Sequence, residues 1–259
     1  MLAAVALLVV LPAAGCSPAG STSAGSASGG SSTGVLEGTV RVFAAASLQG
    51  AFATLGRQFE AAYPGTRVVF SFGPSSGLAT QIVQGAPADV FASASPVNMD
   101  QVVKAGHAAN PRDFAANTLE IAVPPGNPGH VGALADLARP SLKVALCQPA
   151  APCGVAAATV LTRAGVRVPG ASQEVDVKGV LTKVTLDEVD AGLVYVTDVR
   201  AAGSSVIGIP IPAAANATTR YPVAVLSSAV NPVAARAFTA YVLSDAGSAV
   251  LAAAGFAAP

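Results

Sequence analysis

Val40-Arg41-Val42-Phe43-Ala44-Ala45-Ala46-Ser47-Leu48 begins as a short run of strand type, passes through an alanine corner and reaches a serine at the head of a striped segment. Leu48, Phe52, Leu55 and Phe59 follow at spacings of four, three and four, which puts all four on one helix face, and Pro64-Gly65 closes the segment. Such a stripe is a core face. A strand that feeds a helix through a short corner is the repeating unit of an α/β protein, and the unit recurs downstream. Arg67-Val68-Val69-Phe70, Asp89-Val90-Phe91, Leu119-Glu120-Ile121-Ala122-Val123, Lys143-Val144-Ala145-Leu146 and Gly192-Leu193-Val194-Tyr195-Val196 read as further strands. Helices are expected over residues 78–84, over 154–163 with Gly165 as the stop, and over 177–186.

Composition narrows the function. The chain has 259 residues, with 14 Lys and Arg against 14 Asp and Glu, and charged residues make up only 11%. A nucleic-acid partner would call for a basic surplus, so that class is set aside. The 26 Gly and 19 Pro follow no three-residue period, which removes a collagen-like reading. Although 52% of residues are apolar, no interior run approaches the roughly 20 that a membrane span needs. Only the N-terminus is expected to meet lipid.

Residues 1–14 form a short apolar run, followed by Gly15-Cys16 and a stretch to residue 34 made almost wholly of Ser, Gly, Ala and Thr. That pattern reads as a signal peptide over residues 1–15 and a flexible tether over 16–37. Ala13-Ala14-Gly15-Cys16 resembles a bacterial lipobox, with Ala13 where Leu is usual. The resemblance implies cleavage before Cys16, a lipid on its thiol and anchorage to the outer face of the cell membrane. The alternative is ordinary secretion with Cys16 as a bystander. Setting Cys16 aside leaves Cys147 and Cys153 as an even pair in an exported chain, for which a disulfide is the simpler expectation and two free thiols the alternative.

Strand after strand runs into a small or polar corner that opens a helix. Ala44-Ala45-Ala46-Ser47, Gly73-Pro74-Ser75-Ser76-Gly77, Pro152-Cys153-Gly154 and Asp176-Val177-Lys178 all lie at such points. The first amides of a helix have no intrahelical acceptor and carry the positive end of its dipole, so several converging N-termini make an anion site without formal cations. Taken singly, Ser47, Ser75 and Ser76 are equally readable as N-caps.

Together these segments carry a family resemblance. Val42-Phe43-Ala44-Ala45-Ala46-Ser47-Leu48, Ser75-Ser76-Gly77-Leu78-Ala79-Thr80-Gln81-Ile82 and Gly85-Ala86-Pro87-Ala88-Asp89-Val90-Phe91 resemble the periplasmic molybdate-binding proteins of bacterial ABC importers. Val177-Lys178-Gly179-Val180-Leu181, Gly192 to Asp198 and Tyr221-Pro222-Val223-Ala224-Val225 continue it towards the C-terminus. The resemblance implies a two-lobed α/β periplasmic-binding-protein fold of type II with the ligand cleft between lobes. The expected first lobe covers residues 38–117 plus 223–259 and the second 118–222, with hinge crossings near Thr118 and Pro222. It further implies a monomer that captures molybdate, and tungstate with it, and passes the anion to a membrane permease without a cofactor.

Carried over residue by residue, the oxyanion contacts fall on the hydroxyls and amides of Ser47 and Ser75, the amides of Cys153 and Val177, and the Tyr195 hydroxyl. Ser76 is the alternative to Ser75. All are neutral donors, and the expected pocket has no carboxylate.

Three rival readings remain beside that one. Gly73-Pro74-Ser75-Ser76-Gly77 matches the G-x-S-x-G elbow of serine hydrolases, yet the only histidines are His107 and His130, and none follows to activate the serine. A metal site is disfavoured by the absence of any C-x-x-C and by so few histidines. Another oxyanion, such as sulfate or thiosulfate, is the nearer alternative on the same scaffold. Asp89 is read as a structural carboxylate at a strand end.

Overall fold

The computed structural model describes residues 36–259. The expected signal segment, most of the expected tether and Cys16 lie outside the described residues. The chain begins with β1 (Glu37–Ala45), α1 (Gln49–Ala62), β2 (Gly65–Gly73), α2 (Ser75–Val83), β3 (Val90–Ala92), α3 (Pro96–Lys104) and β4 (Arg112–Asn117). It continues through β5 (Leu119–Val123), β6 (Val144–Cys147), α4 (Pro152–Ala164), β7 (Ser172–Glu174), α5 (Val177–Thr185), β8 (Ala191–Tyr195), α6 (Val196–Ala202) and β9 (Ile207–Pro210). It closes with β10 (Thr219–Val225), α7 (Pro232–Val242) and α8 (Asp245–Ala253).

Two five-stranded sheets form, in the orders β2-β1-β3-β10-β4 and β7-β6-β8-β5-β9. Both follow one plan. Three neighbouring strands run parallel, and the fourth strand in the order, β10 or β5, runs antiparallel to its neighbours on either side. This is the two-lobed type II arrangement. Ligands of open parallel sheets collect beyond the carboxyl ends of the strands, so the plan already points to the corners after β1, β2, β6, β7 and β8.

The packing explains the elements. Leu48, Phe52, Leu55 and Phe59 are all fully buried, as the stripe predicts. Phe52 meets Phe70, Phe114 and Phe238 ring to ring, which ties α1 to β2, β4 and α7. Gly56 lies where the Phe70 ring crosses α1, and a Cβ there would sit 2.7 Å from the ring. The second lobe has its own core around Ile121, Val144, Val160, Val180 and Leu193.

One boundary needs correction. The chain leaves the first sheet at Asn117 and enters the second at Leu119, as expected, but the return does not fall at Pro222. Thr219 already pairs with Asn117, and β10 runs on through Val225 inside the first sheet. The proline misleads because it lacks an N–H and so looks like a strand end. In the fold it sits where the β10–β4 register slips between Tyr221 and Pro222, a place where a missing donor is tolerated.

Candidate functional site

Ser47, Ser75, Cys153, Val177 and Tyr195 line one small cavity, with Ala94 and Asp176 beside them. The first two residues follow β1 and β2 of the first sheet, and the others follow β6, β7 and β8 of the second. Tyr195 ends β8 and the others lie in the corners or first helical turns that follow a strand's carboxyl end, so the two sheets present their corners to one another.

Neither serine is a helix cap. α2 has Pro74 at its N-cap position and no side-chain cap bond, while Ser75 sits one residue inside. Ser75 Oγ instead accepts from the Ala94 amide at 2.9 Å, from a loop nineteen residues away, and the residue is fully buried. Ser47 lies in a 3-10 turn before α1, again without a cap bond, and its Oγ pairs with the Tyr221 hydroxyl at 3.0 Å. The true caps are Ser95, Asp176, Asn231 and Ser244, each accepting from first-turn amides.

In the second lobe the protein uses some first-turn amides and leaves others without a partner. Pro152, the first residue of α4, has no N–H, and the amides of Gly154 and Val155 both return to the Ala151 carbonyl. Cys153 lies in between, with an amide that neither of these bonds uses. Its side chain is joined to Cys147 by a disulfide that ties the end of β6 to the first turn of α4, with 5.7 Å between the Cα atoms. Gly154 makes this closure sterically feasible, because a Cβ there would fall 2.0 Å from the Gln148 carbonyl oxygen. In α5, Asp176 Oδ1 accepts from the Lys178 and Gly179 amides, so the Val177 amide is the one the cap leaves over.

Asp176 also amends an expectation. It borders the cavity, so the lining is not free of carboxylates. The physical reason is local: Asp is a strong N-cap, and the residue that caps α5 adjoins Val177, which lines the cavity.

Tyr195 is buried, and its hydroxyl has no hydrogen-bond partner. An orphaned buried polar atom is costly unless something else satisfies it, and Tyr195 lines the cavity. Burial, with the nearby Asp198 carboxylate acting in the same direction, raises the pKa of this phenol far above the ordinary tyrosine range, so it stays protonated and neutral. Asp198 escaped notice as a functional residue. Its Oδ2 accepts from the Tyr195 amide at 3.2 Å and its Oδ1 pairs with Lys178 Nζ at 2.7 Å, bracing both the end of β8 and the start of α5. Burial raises its carboxyl pKa, and the Lys178 ammonium opposes that rise. The signal was present as an acid three residues after Tyr195, at the opening of a helix.

No histidine lines the cavity, so Ser75 has no base beside it. Asp89 is structural: it accepts from the amides of Arg41, Val230 and Asn231 and lies away from the cavity. Among the described residues no group of three or more His, Cys, Asp or Glu is placed to hold a metal.

Comparison with known proteins agrees with this architecture. Residues 40–257 match the family described as bacterial extracellular solute-binding protein. A molybdate-binding protein of Mycobacterium tuberculosis is 46% identical over 222 residues, covering 85% of each chain. Its Escherichia coli counterpart is 33% identical over 201 residues, covering 73% of this chain and 78% of that one. Among solved structures, the periplasmic molybdate-binding protein of Azotobacter vinelandii superposes with a TM-score of 0.76 at 24% identity, over 85% of this chain and 99% of that one, which bears on fold alone. The chain belongs to the bacterial extracellular solute-binding protein family, whose members bind solutes and are not enzymes.

Proposed function

We propose that this protein captures molybdate outside the cytoplasm and delivers it to an ABC importer. The observation that carries the reading is the convergence of five neutral donor residues, two from one lobe and three from the other, on one small cavity. The names of the mycobacterial and E. coli relatives support the choice of ligand. A fully deprotonated tetrahedral dianion offers only acceptors, and it is matched by a wall of hydroxyl and amide donors. A protonated phosphate species carries an O–H that needs an acceptor in return. Molybdate is larger than sulfate, and a cradle matched to its longer bonds would hold sulfate less well. Tungstate, of nearly the same size and charge, is expected to bind comparably.

Each hydrogen bond to the charged ligand is worth about 1.5–3 kcal/mol. Five of them support sub-micromolar affinity after the cost of association. Asp176 opposes the anion to some extent, but its Oδ1 is already engaged by two amides of α5. The lobes are joined by crossings at Thr118 and just before Thr219, and closing them on the anion would present the permease with a changed surface.

Anchorage through a lipid on Cys16 belongs to the same proposal. It is supported by the lipobox-like sequence and by a Bacillus subtilis relative that is named a lipoprotein. Labelled palmitate incorporated by the wild type and absent from Cys16→Ala would bear it out; equal labelling would refute it.

Isothermal titration of the protein with molybdate, tungstate, sulfate and phosphate tests the function. Tight binding of the first two with weak or absent binding of the others is expected. Preference for sulfate or phosphate would overturn the assignment.

A further inference from the structure

Ser47 and Ser75 share an arrangement that their sequence contexts do not reveal, since the hydroxyl of each has a hydrogen-bond partner from a distant part of the first lobe. For Ser75 that partner is the Ala94 amide, whose N–H occupies Oγ at 2.9 Å and leaves the serine's own hydrogen for the cavity. For Ser47 it is a side chain. Tyr221, on β10, is fully buried against the rings of Phe114, Tyr195 and Phe256, and its hydroxyl lies 3.0 Å from Ser47 Oγ.

Either oxygen of this pair is able to donate, and the two orientations have opposite consequences. If Ser47 gives its hydrogen to Tyr221, only its lone pairs remain to meet an anion. If Tyr221 gives its hydrogen to Ser47, the serine hydrogen is released towards the cavity. Burial keeps the Tyr221 phenol protonated, so it retains a proton to give.

We propose that Tyr221 is a positioning residue whose hydroxyl fixes Ser47 as an outgoing donor, and that this fixed direction helps the site to reject anions bearing a proton of their own. The inference rests on the reading of the cavity as an oxyanion site. Without the Tyr221 hydroxyl, Ser47 is free to turn and accept, which weakens a dianion and accommodates the O–H of hydrogen phosphate. The device is a chain of two hydroxyls, with only the second touching the ligand.

The test is calorimetry at neutral pH on wild type, Tyr221→Phe, Ser47→Ala and the double variant, each titrated with molybdate, sulfate and phosphate. The relay is read on whichever anion the wild type binds tightest, and its selectivity is taken against phosphate. Wild type that binds sulfate rather than molybdate therefore removes the ligand assignment and leaves the relay measurable. Wild type that binds no anion overturns both.

Tyr221→Phe is expected to weaken the favoured dianion about three- to tenfold, the value of one ordinary hydrogen bond. It should also narrow the ratio to phosphate and cause no further loss in the Ser47→Ala background. Unchanged affinity, an equal loss in both backgrounds, or an unchanged ratio overturns the proposal. Should Tyr221→Phe fold poorly, neutron diffraction of the anion-loaded wild type decides the matter. Deuterium on the tyrosine oxygen pointing at Ser47 supports the relay, and deuterium on Ser47 pointing at Tyr221 contradicts it.

Discussion

At the residue scale, the difference between a cap and a ligand contact lies in what occupies the serine oxygen. Ser95 spends its oxygen on the Asn98 amide of its own helix, whereas Ser75 receives the amide of Ala94 and keeps its hydrogen free of any helix. Tyr195 differs again, because no protein atom satisfies its hydroxyl. Removing an oxygen that has no partner costs the empty protein little, while removing a donor to a charged ligand costs about 1.5–3 kcal/mol. Tyr195→Phe should therefore leave the urea midpoint of the unliganded protein nearly unchanged and weaken molybdate binding by about tenfold or more, as titration calorimetry would show. Ser75→Ala is expected to lose both, because it also strips the buried Ala94 amide of its acceptor. The sequence order Phe72-Gly73-Pro74-Ser75 could not distinguish these roles, since the deciding partner arrives from Ala94, beyond a helix and a strand.

At the element scale, the site is built from corners whose first amides are left unequally satisfied. Pro152, the Ala151 carbonyl and the disulfide together prepare the first turn of α4, and Asp176 prepares that of α5. Opening the Cys147–Cys153 link with the double substitution Cys147→Ala and Cys153→Ala releases a short loop in the unfolded chain. The expected loss is about 2 kcal/mol, seen as a lower denaturant midpoint at constant slope. Anion affinity should fall in the same variant, because the Cys153 amide loses its tether; wild-type affinity would show that the turn holds itself. Much at this scale was legible: the stripe from Leu48 to Phe59, the strand-to-helix corners and the stop at Gly165 are all local patterns. β9 was not, since Ile207-Gly208-Ile209-Pro210 is half-exposed at a sheet edge and carries a glycine and a proline. Gly208 is needed because Glu120 and Val199 press on it from two sides, each 2.7 Å from where a Cβ would stand. β10 was half-read, because Pro222 interrupts the local signal and only pairing with β3 and β4 restores it.

At the scale of the whole molecule, two buried tyrosines stand between the lobes, with ring centroids 6.2 Å apart, Tyr195 from the second sheet and Tyr221 from the first. Burial raises both phenol pKa values above the ordinary value of 10.0. The sign of the linkage follows from proton counts. Above about pH 10 the unfolded chain releases protons that the native state still holds, so stability is complete below that pH and falls as pH rises further. Thermal melts between pH 8 and 11 should show a plateau followed by a decline, and Tyr221→Phe should make the decline shallower. A melting temperature that is flat or rising above pH 10 would show that the tyrosines are not held as described. The two-lobed α/β fold was legible from the family resemblance. The grouping of Ser47, Ser75, Cys153, Val177 and Tyr195 on one cavity was likewise implied only by the resemblance, because it depends on how two sheets face each other across crossings that no local pattern encodes.

The most direct test is a crystal structure of the protein loaded with molybdate. The account predicts one anion whose oxygens lie within hydrogen-bond distance of Ser47 Oγ, Ser75 Oγ, the amides of Cys153 and Val177, and Tyr195 Oη, with both sheets contributing. An anion held elsewhere, or contacted by only one lobe, would contradict it.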